Sequence, residues 1–324
     1  MTALTTLTYE ASDRIARITL NRPARGNGIT RLLVSELEQC VEQADLDPAV
    51  HVILLSGNGK GFCGGYDLVE SAEGHGSDTV ESSHPSSEWD STPNPTQSRA
   101  TETPPSGSPL DPAVMAANHN PAGTWDAMVD YTMMSRNVRA FMSLFHCGKP
   151  VVCKVHGFCV AGGTDMALCS DLLLIASDAK IGYPPARVWG TPTTSMWMHR
   201  LGVQRAKRLL FTGDSLSGAE ALEWGLAIEA PSPEQLDGRT EILLERIARV
   251  PINQLRIMKL LVNQSLYAQG LHTTQALGTL LDGVARHTPE GYEFQRQAMQ
   301  VGFREAVRER DEPFGDHGSS TFKG

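Results

Sequence analysis

Apolar and polar positions along the N-terminal part of the chain follow a pattern typical of strands flanking one helix. β-forming residues at 4–10 and 15–20 surround Ala11-Ser12-Asp13, which predicts a hairpin. Apolar residues at positions 32, 33, 37, 41 and 44 recur at helical spacing, with Thr30 as the predicted N-cap. The run at 52–56 is almost entirely apolar, as in a strand buried on both faces. This order indicates a parallel sheet with a right-handed crossover.

The stretch 150–171 predicts a buried strand, a glycine-rich turn and a helix that begins at Gly162 and Gly163. Glycines let the backbone approach a ligand closely. The first amides of a helix lack internal acceptors and sit at the positive end of its dipole, so they attract anions. Asp165 lies just inside this helix. The pattern favours enolate chemistry, with a carboxylate as acid–base group. The alternative is a plain strand-to-helix turn in which Asp165 only balances the helix dipole.

A second glycine-rich turn, at 57–68, follows the predicted strand at 52–56. It is either a simple loop or a second set of free amides. In the latter case, amides that face the first turn would complete an oxyanion hole.

Residues 71–110 differ from the rest of the chain. They hold ten serines and six prolines, very few large apolar residues, and Arg99 as the only lysine or arginine. Such a segment cannot bury enough apolar surface to offset its ordering entropy. We interpret 71–123 as an insertion on the rim of the domain and favour a disordered or loosely packed loop over a lid. Order is predicted to resume near Trp125, with an amphipathic helix to Phe145.

The second half of the chain is predicted to be mainly helical. Paired prolines at 184–185 bar a regular helix there. The predicted helices span 193–201, 203–211, 217–225, 236–250, 252–267, 273–286 and 291–308. Such a tail after an α/β core packs on that core or on a partner subunit, and 315–324 is expected to fray.

Composition narrows the functional classes. The chain has 324 residues and a formal net charge of −9, which argues against nucleic acid or another polyanion as partner. Six scattered cysteines, several in apolar contexts, indicate reduced core thiols in a cytoplasmic protein, and none has zinc-site spacing. Neither a signal peptide nor a membrane-spanning stretch is predicted.

Several motifs occur in an order that resembles the enoyl-CoA hydratase/isomerase, or crotonase, superfamily over 18–314, apart from the insertion. They are Asn21-Arg22-Pro23, Gly61-Phe62-Cys63-Gly64-Gly65-Tyr66-Asp67-Leu68, Lys149-Pro150-Val151, His156-Gly157, Ala161-Gly162-Gly163-Thr164-Asp165, Ser170-Asp171, Ala179-Lys180-Ile181-Gly182, Phe211-Thr212-Gly213 and Ala221-Leu222-Glu223-Trp224-Gly225-Leu226.

The resemblance implies an α/β fold: a crotonase-like ββα spiral core with a C-terminal helical trimerisation region. The core would comprise 1–70 and 124–205, interrupted by the insertion at 71–123. The helical region would span 206–314, with a tail at 315–324. The implied partner is an acyl-CoA thioester, with no separate cofactor. The implied assembly is a homotrimer or a hexamer formed by two trimers.

The resemblance also implies roles for particular residues. The backbone N–H groups of Tyr66 and Gly162 would form the oxyanion hole, and Asp165 would be the acid–base group. The Tyr66 ring either shapes the acyl pocket or merely packs. Residues implied at the substrate or CoA are Arg25 at a phosphate, the backbone of Phe62, Cys63 and Gly64 at the adenine, Gly163, Tyr183, and Arg310 or Arg308 from a neighbouring subunit.

The chain departs from the family pattern at the second carboxylate. Hydratases of the family use two glutamates, and Asp165 matches the first with a shorter side chain. The second position falls on Pro185 or Ala186, neither of which can transfer a proton. The nearest polar residues, Tyr183 and Arg187, are poor bases at neutral pH.

Three hypotheses remain. In the first, Asp165 is the sole acid–base group of an enzyme. We favour an atypical enoyl-CoA hydratase, and the alternatives are an enoyl- or dienoyl-CoA isomerase and a thioester hydrolase. Alternatively, another acid assists, for example Glu70, Asp126 or Asp130 beside the insertion. The third hypothesis is a non-catalytic acyl-CoA-binding protein. A structural role is favoured for His146 and His156.

Overall fold

The computed structural model describes residues 4–67 and 104–315. The strands are β1 Leu7–Ser12, β2 Ile15–Leu20, β3 Val52–Gly57, β4 Val151–Val155, β5 Phe158–Val160, β6 Leu172–Ile175, β7 Lys180–Gly182 and β8 Ser215–Ser217. The helices are α1 Arg31–Leu46, α2 Pro112–Asn118, α3 Ala127–His146, α4 Gly162–Ala167, α5 Met196–Thr212, α6 Gly218–Glu223, α7 Pro233–Ala248, α8 Ile252–Ala268, α9 Leu271–Arg286, α10 Pro289–Val301 and α11 Phe303–Asp311. Short 3-10 segments cover Pro23–Arg25, Pro184–Arg187 and Glu312–Phe314.

Within the described ranges, the larger sheet has the strand order β1-β2-β3-β4-β6. The predicted hairpin is confirmed, since β1 and β2 pair in antiparallel register with Leu7 opposite Leu20. The remaining neighbours pair in parallel. The N-cap prediction is also confirmed, because the Thr30 hydroxyl accepts the Leu33 N–H at 3.2 Å. α1 and α3 cover the sheet and bury the apolar stripes that the sequence pattern predicted.

The smaller sheet has the order β5-β7-β8, and it positions the glycine-rich turns. β5 pairs in parallel with β7, which pairs antiparallel with β8. The turn after β3 runs along the other edge of β5, with Cys63 opposite Cys159 in a parallel bridge. The predicted continuous strand-turn-helix at 150–171 is therefore wrong in one respect: β5 intervenes between β4 and α4.

The insertion is more ordered near its C-terminal end than predicted. Residues 112–118 form α2, capped by the Asp111 side chain on the Ala113 amide at 2.9 Å, so order resumes before Trp125. The interpretation of 104–123 as loose or disordered is wrong, because α2 packs on α3 and lines the cleft described below. The remainder of the predicted insertion, 71–103, lies outside the described residues.

Glycines with positive φ interrupt the C-terminal helices, in one case within a helix that periodicity predicted to be continuous. α10 and α11 meet at Gly302, where φ is +86°, so the single predicted helix at 291–308 is wrong. Gly202, at φ +73°, breaks α5 internally, as the prediction of two helices required. That helix begins at Met196 rather than at 193.

All six cysteines are buried free thiols, which confirms their predicted place in the core. In the described part of the chain, no helix is both long enough and apolar enough to cross a membrane.

Candidate active site

The parallel pairing of Cys63 with Cys159 brings the two glycine-rich turns together. The Val160 amide donates to the Cys63 carbonyl at 3.0 Å, and the Phe62 amide donates to the Phe158 carbonyl at 2.8 Å. Three residues beyond the bridge in each segment come Tyr66 and Gly162. A methyl group added at Gly65 would lie 2.8 Å from the Ala161 Cβ and 3.5 Å from the Gly162 nitrogen. Strand register therefore sets the Tyr66 turn against the first residue of α4.

The backbone amides of Tyr66 and Gly162 are left without acceptors among the described residues. Around Tyr66, the Gly65 carbonyl accepts the Ile29 N–H at 2.8 Å and the Asp67 N–H donates to the Ile29 carbonyl at 3.0 Å. Alternate residues of an extended segment direct their amides to opposite sides, so the Tyr66 N–H faces away from Ile29. Gly162 is the first residue of α4, where an amide has no intrahelical acceptor. Two adjacent amides in this arrangement can hold an oxyanion.

The residue before this helix is strained. Ala161 has φ +53° and ψ −131°, a backbone region that residues with a Cβ rarely adopt. Gly162 packs under the Tyr66 ring, since a Cβ there would lie 2.7 Å from the Tyr66 Cε2. Only glycine fits at 162 without moving that ring.

Asp165 lies one turn into α4 and is 1% exposed. Its Oδ1 accepts the Thr194 hydroxyl at 2.7 Å and the Thr194 N–H at 3.1 Å. Its Oδ2 is buried and makes no hydrogen bond to any described residue. The Thr193 amide also acts to lower the carboxyl pKa.

Burial raises the pKa of Asp165 to about 7, because desolvation of the charged form outweighs the stabilising bonds from Thr194. Near neutral pH, the carboxyl group is therefore close to half protonated. A group in that state can either donate or accept a proton, as general acid–base catalysis requires.

A cleft of about 3010 Å³ opens at these turns. Of the residues assigned to substrate or CoA from the sequence, Gly64, Tyr66, Gly162, Tyr183 and Arg310 line it. Arg25, Phe62, Cys63 and Gly163 do not line it, and neither does the buried catalytic candidate Asp165. Phe62, Cys63 and Gly163 pack behind the wall. The Phe62 and Cys63 amides are already bound to carbonyls, and a Cβ at Gly163 would lie 2.7 Å from the Cys63 carbonyl.

Arg25 and Arg310, the predicted CoA-binding arginines, have acidic neighbours. Arg25 contacts Asp67 with two nitrogens, at 2.7 and 3.2 Å. Arg310 contacts Asp311 at 2.8 Å and lies over the Phe294 ring. Arg308 pairs with Glu305 on the surface. Contact of these arginines with CoA stays a prediction.

The position of the family's second carboxylate lies in the 3-10 segment Pro184–Arg187. Pro185 lines the cleft and offers no proton-transfer group. Arg187 is turned into an ion pair with Asp311 at 2.9 Å, so its side chain is structural. The Tyr183 hydroxyl donates to the Thr191 carbonyl at 2.6 Å.

Sequence reasoning missed two ionisable residues of the cleft, Asp282 and Arg286 of α9. They form an ion pair at 2.9 Å, one helical turn apart, and both are mostly buried. The signal was present in the sequence, because an acid and a base at i and i+4 interrupt an otherwise apolar and small-residue segment. The sequence alone does not show that this face of α9 lines the cleft.

The acids proposed beside the insertion have separate roles. Asp126 caps α3 by accepting the Met128 N–H at 2.9 Å. Asp130 is buried and lies 3.1 Å from Arg286, outside the cleft wall. Glu70 lies outside the described residues. His156 contacts the Gly59 carbonyl and His146 stacks on Tyr267, in line with structural roles.

His119, Asp130 and His287 bring potential metal-ligating atoms within 4.8 Å of one another. The cluster is better explained as a charge network. Both nitrogens of His287 contact backbone carbonyls, those of Gly283 and Asn118, and Arg286 already places a cation beside Asp130.

Comparison with known proteins places the chain. The family model described as enoyl-CoA hydratase/isomerase matches residues 10–94 and 124–294. The crystal structure of an enoyl-CoA hydratase from Mycobacterium smegmatis is 53% identical, with a TM-score of 0.86 over 99% of this chain and 98% of that one. A Mycobacterium tuberculosis protein that carries the name enoyl-CoA hydratase is 29% identical over 81% of this chain and 74% of its own length. The 1,2-epoxyphenylacetyl-CoA isomerase of Escherichia coli is 25% identical over 83% of each chain.

The match skips only part of the predicted insertion and covers both glycine-rich turns. It confirms the resemblance and the crotonase-like core inferred from the sequence motifs. The chain belongs to the enoyl-CoA hydratase/isomerase family.

Proposed function

We propose that this chain binds an enoyl thioester of coenzyme A and adds water to it, stabilising the thioester enolate with the amides of Tyr66 and Gly162. One observation carries the proposal. Two turns from different parts of the chain set adjacent N–H groups beside the cleft, and neither amide donates to a described residue. The family acts on acyl-CoA substrates, which supports a thioester as ligand.

The two amides act where charge develops. When water adds to the β-carbon, the π-electrons move toward the thioester oxygen, which becomes negative. Loss of one such donor typically lowers the rate by roughly 100- to 1000-fold. CoA arrives as part of the substrate, and the proposal includes no resident cofactor.

Asp165 supplies the proton in this proposal. Its carboxyl lies one helical turn from Gly162, and its pKa of about 7 keeps a neutral fraction available at physiological pH. In the neutral form it can protonate the α-carbon as the enolate collapses, which completes the addition.

Isomerisation of a double bond is the second candidate. The observation in its favour is the occupancy of the second carboxylate position by Pro185 or Ala186. Moving one proton between two carbons needs only one carboxyl group. Hydration also needs a base for the attacking water.

The test follows the absorbance of a conjugated enoyl-CoA together with the mass of the product. Hydration adds the mass of one water, whereas isomerisation leaves the mass unchanged. We expect Asp165→Asn to lower kcat by roughly 100- to 10,000-fold, since the amide cannot transfer the proton.

Asp171→Asn is the matched control. Asp171 is another largely buried carboxylate, but it pairs with Lys259 at 2.8 Å and lies outside the helix that begins at Gly162. Its folded fraction should keep the parental kcat. Full activity in Asp165→Asn would remove Asp165 from the chemistry. Tight CoA-ester binding without turnover in the parent protein would instead favour the non-catalytic class.

A further inference from the structure

We infer that Asp282 is the second acid–base carboxylate of this site, supplied by α9 in place of the family position occupied by Pro185 or Ala186. The inference rests on the proposed hydration. Asp282 and Arg286 line the same cleft as Tyr66 and Gly162. No motif of the sequence contains Asp282.

The segment at 191–195 donates hydrogen bonds to both carboxylates. The Thr191 amide donates to Asp282 Oδ1 at 3.3 Å, and Thr194 donates to Asp165 Oδ1 from its amide and its hydroxyl. Two hydroxyl groups of the same segment bond to carbonyls of α9. The Thr191 hydroxyl donates to the Gly278 carbonyl at 2.9 Å, and the Ser195 hydroxyl donates to the Thr274 carbonyl at 2.9 Å.

Gly278 makes this attachment possible. A Cβ at that position would lie 2.9 Å from the Ser195 Oγ and 3.2 Å from the Pro192 carbonyl. Close approach of the 191–195 segment to α9 therefore fixes where Asp282 stands relative to Asp165. Tyr183 also holds this segment in place, because its hydroxyl donates to the Thr191 carbonyl.

Charges around Asp282 come from several elements. Arg286 of the same helix lies 2.9 Å from Asp282 Oδ2. Asp130 of α3 shares that arginine at 3.1 Å, and its own neighbour His119 is 4.0 Å away. Asp165 of α4 is near enough for the charge of Asp282 to add to the rise that burial causes in the Asp165 pKa. Burial raises the pKa of the Tyr66 and Tyr183 phenols, and the charges of Asp165 and Asp282 raise it further.

The two carboxyl groups are held in different ionisation environments. Burial raises the pKa of Asp282, and the charge of Asp130 adds to the rise, while Arg286 and the Thr191 amide oppose it. No cation among the described residues contacts Asp165, and the charge on Asp282 adds to the rise in pKa that burial causes. The contact with Arg286 favours the ionised form at Asp282 relative to Asp165, so Asp282 is the better candidate for the base and Asp165 for the acid.

The reaction balances with these two groups. Ionised Asp282 takes a proton from water as the water oxygen bonds to the β-carbon. The π-electrons move to the thioester oxygen held by Tyr66 and Gly162. The enolate then collapses and takes the proton of neutral Asp165 onto the α-carbon. The product has gained the elements of water, its hydroxyl from the water molecule and its α-proton from Asp165. The carboxylate pair still holds one proton, now on Asp282, and proton exchange with solvent restores neutral Asp165 and ionised Asp282 before the next turnover.

A structural reading of Asp282 is that it only neutralises Arg286. Asp130 provides the matched control, since it contacts the same Arg286 Nη2, is equally buried and does not line the cleft. If charge balance at Arg286 were the whole role, replacing either acid would have the same effect on activity.

The experiment compares Asp282→Asn, Asp282→Glu and Asp130→Asn for hydration of an enoyl-CoA, with kcat and KM measured across pH. We expect Asp282→Asn to lower kcat by roughly 100- to 10,000-fold with KM changed only a few-fold. The acidic limb of the pH profile should vanish in this variant. Asp130→Asn should keep kcat within a few-fold, and Asp282→Glu should restore part of the rate together with the acidic limb.

The possible failures are distinct. If Asp282→Asn loses no more kcat than Asp130→Asn, the inference is overturned while hydration stands. If the parent protein hydrates no enoyl-CoA, the proposed function falls, and this inference falls with it. If Asp282→Asn does not fold, Asp282→Glu decides. Parental kcat with the acidic limb at the parental pH would overturn the inference. A lowered kcat with a displaced acidic limb would support it.

Discussion

Thr194 controls the proton affinity of Asp165 through two hydrogen bonds to a single carboxylate oxygen. Both bonds stabilise the charged form, so they oppose the rise that burial causes, and the pKa of Asp165 stands at about 7 with both effects acting. The neighbouring Thr193 is also buried, but its hydroxyl has no partner among the described residues. This pair of threonines allows the contribution of one hydroxyl to be isolated.

We predict that Thr194→Val moves the alkaline limb of the kcat/KM profile to higher pH, by roughly one unit for the loss of one hydrogen bond to a charged group. The sign follows from the role of Asp165. The neutral carboxyl is the proton donor, and removing a donor that stabilises its anion raises the pKa, so the active form persists to higher pH. Rates measured across pH with an enoyl-CoA check the shift. Thr193→Val serves as control and should leave the limb in place. An unmoved limb in Thr194→Val would contradict the role of Asp165 as acid.

At the scale of elements, α2 is a wall of the cleft that is held at one end by Asn118. The Asn118 Nδ2 donates to Asp130 at 2.9 Å, and its Oδ1 accepts the Asp126 N–H at 2.7 Å. These bonds connect α2 to the start of α3. A helix of this length has little stability of its own, so its order depends on such contacts.

We predict that Asn118→Ala loosens α2 without unfolding the core. Loss of two bonds at a buried site costs roughly 1–3 kcal/mol, which corresponds to about 10- to 100-fold faster amide exchange if α2 opens independently. Hydrogen–deuterium exchange over 112–118 measures this directly. Asn120→Ala, at an exposed position just after the helix, should leave exchange unchanged. Equal exchange in Asn118→Ala and the parent would show that other contacts hold the helix.

At the scale of the whole molecule, Lys259 ties the C-terminal helices to the core. This buried side chain of α8 donates to the Leu144 carbonyl at 2.8 Å and to the Lys149 carbonyl at 2.9 Å, and it pairs with Asp171 at 2.8 Å. The bonds connect α8, the end of α3 and the start of β6. α9, which carries Asp282, follows α8 directly in the chain.

We predict that Lys259→Met lowers the free energy of unfolding by roughly 3–5 kcal/mol, because it leaves the Asp171 carboxylate without its ion-pair partner. Chemical denaturation measures the change. The double variant with Asp171→Asn should recover part of the loss, since no unpaired charge then remains. A loss below about 1 kcal/mol would mean that the pair is as weak as a surface ion pair. Assembly into trimers or hexamers stays a prediction.

Local chemistry was sufficient for much of this protein. Periodicity predicted β1, β2, α1, β3 and α3, because each buries one apolar face or run whose spacing is written in neighbouring residues. Glycines and motif order identified Tyr66 and Gly162, since a turn that needs free amides and close approach restricts its own residue types. The helix α2 was missed because a short helix in a serine- and proline-rich segment is stabilised by distant partners, here Asp130 and α3.

Only the tertiary structure decided what faces the cleft. The Cys63–Cys159 register sets the two amides together. The 191–195 segment docks on α9 and bonds to both Asp282 and Asp165. Asp282 follows Asp165 by more than one hundred residues, and the periodicity of its helix gives no sign that it lines a cleft. A carboxylate becomes an acid–base group through burial and neighbours, and those are properties of packing between segments far apart in the chain.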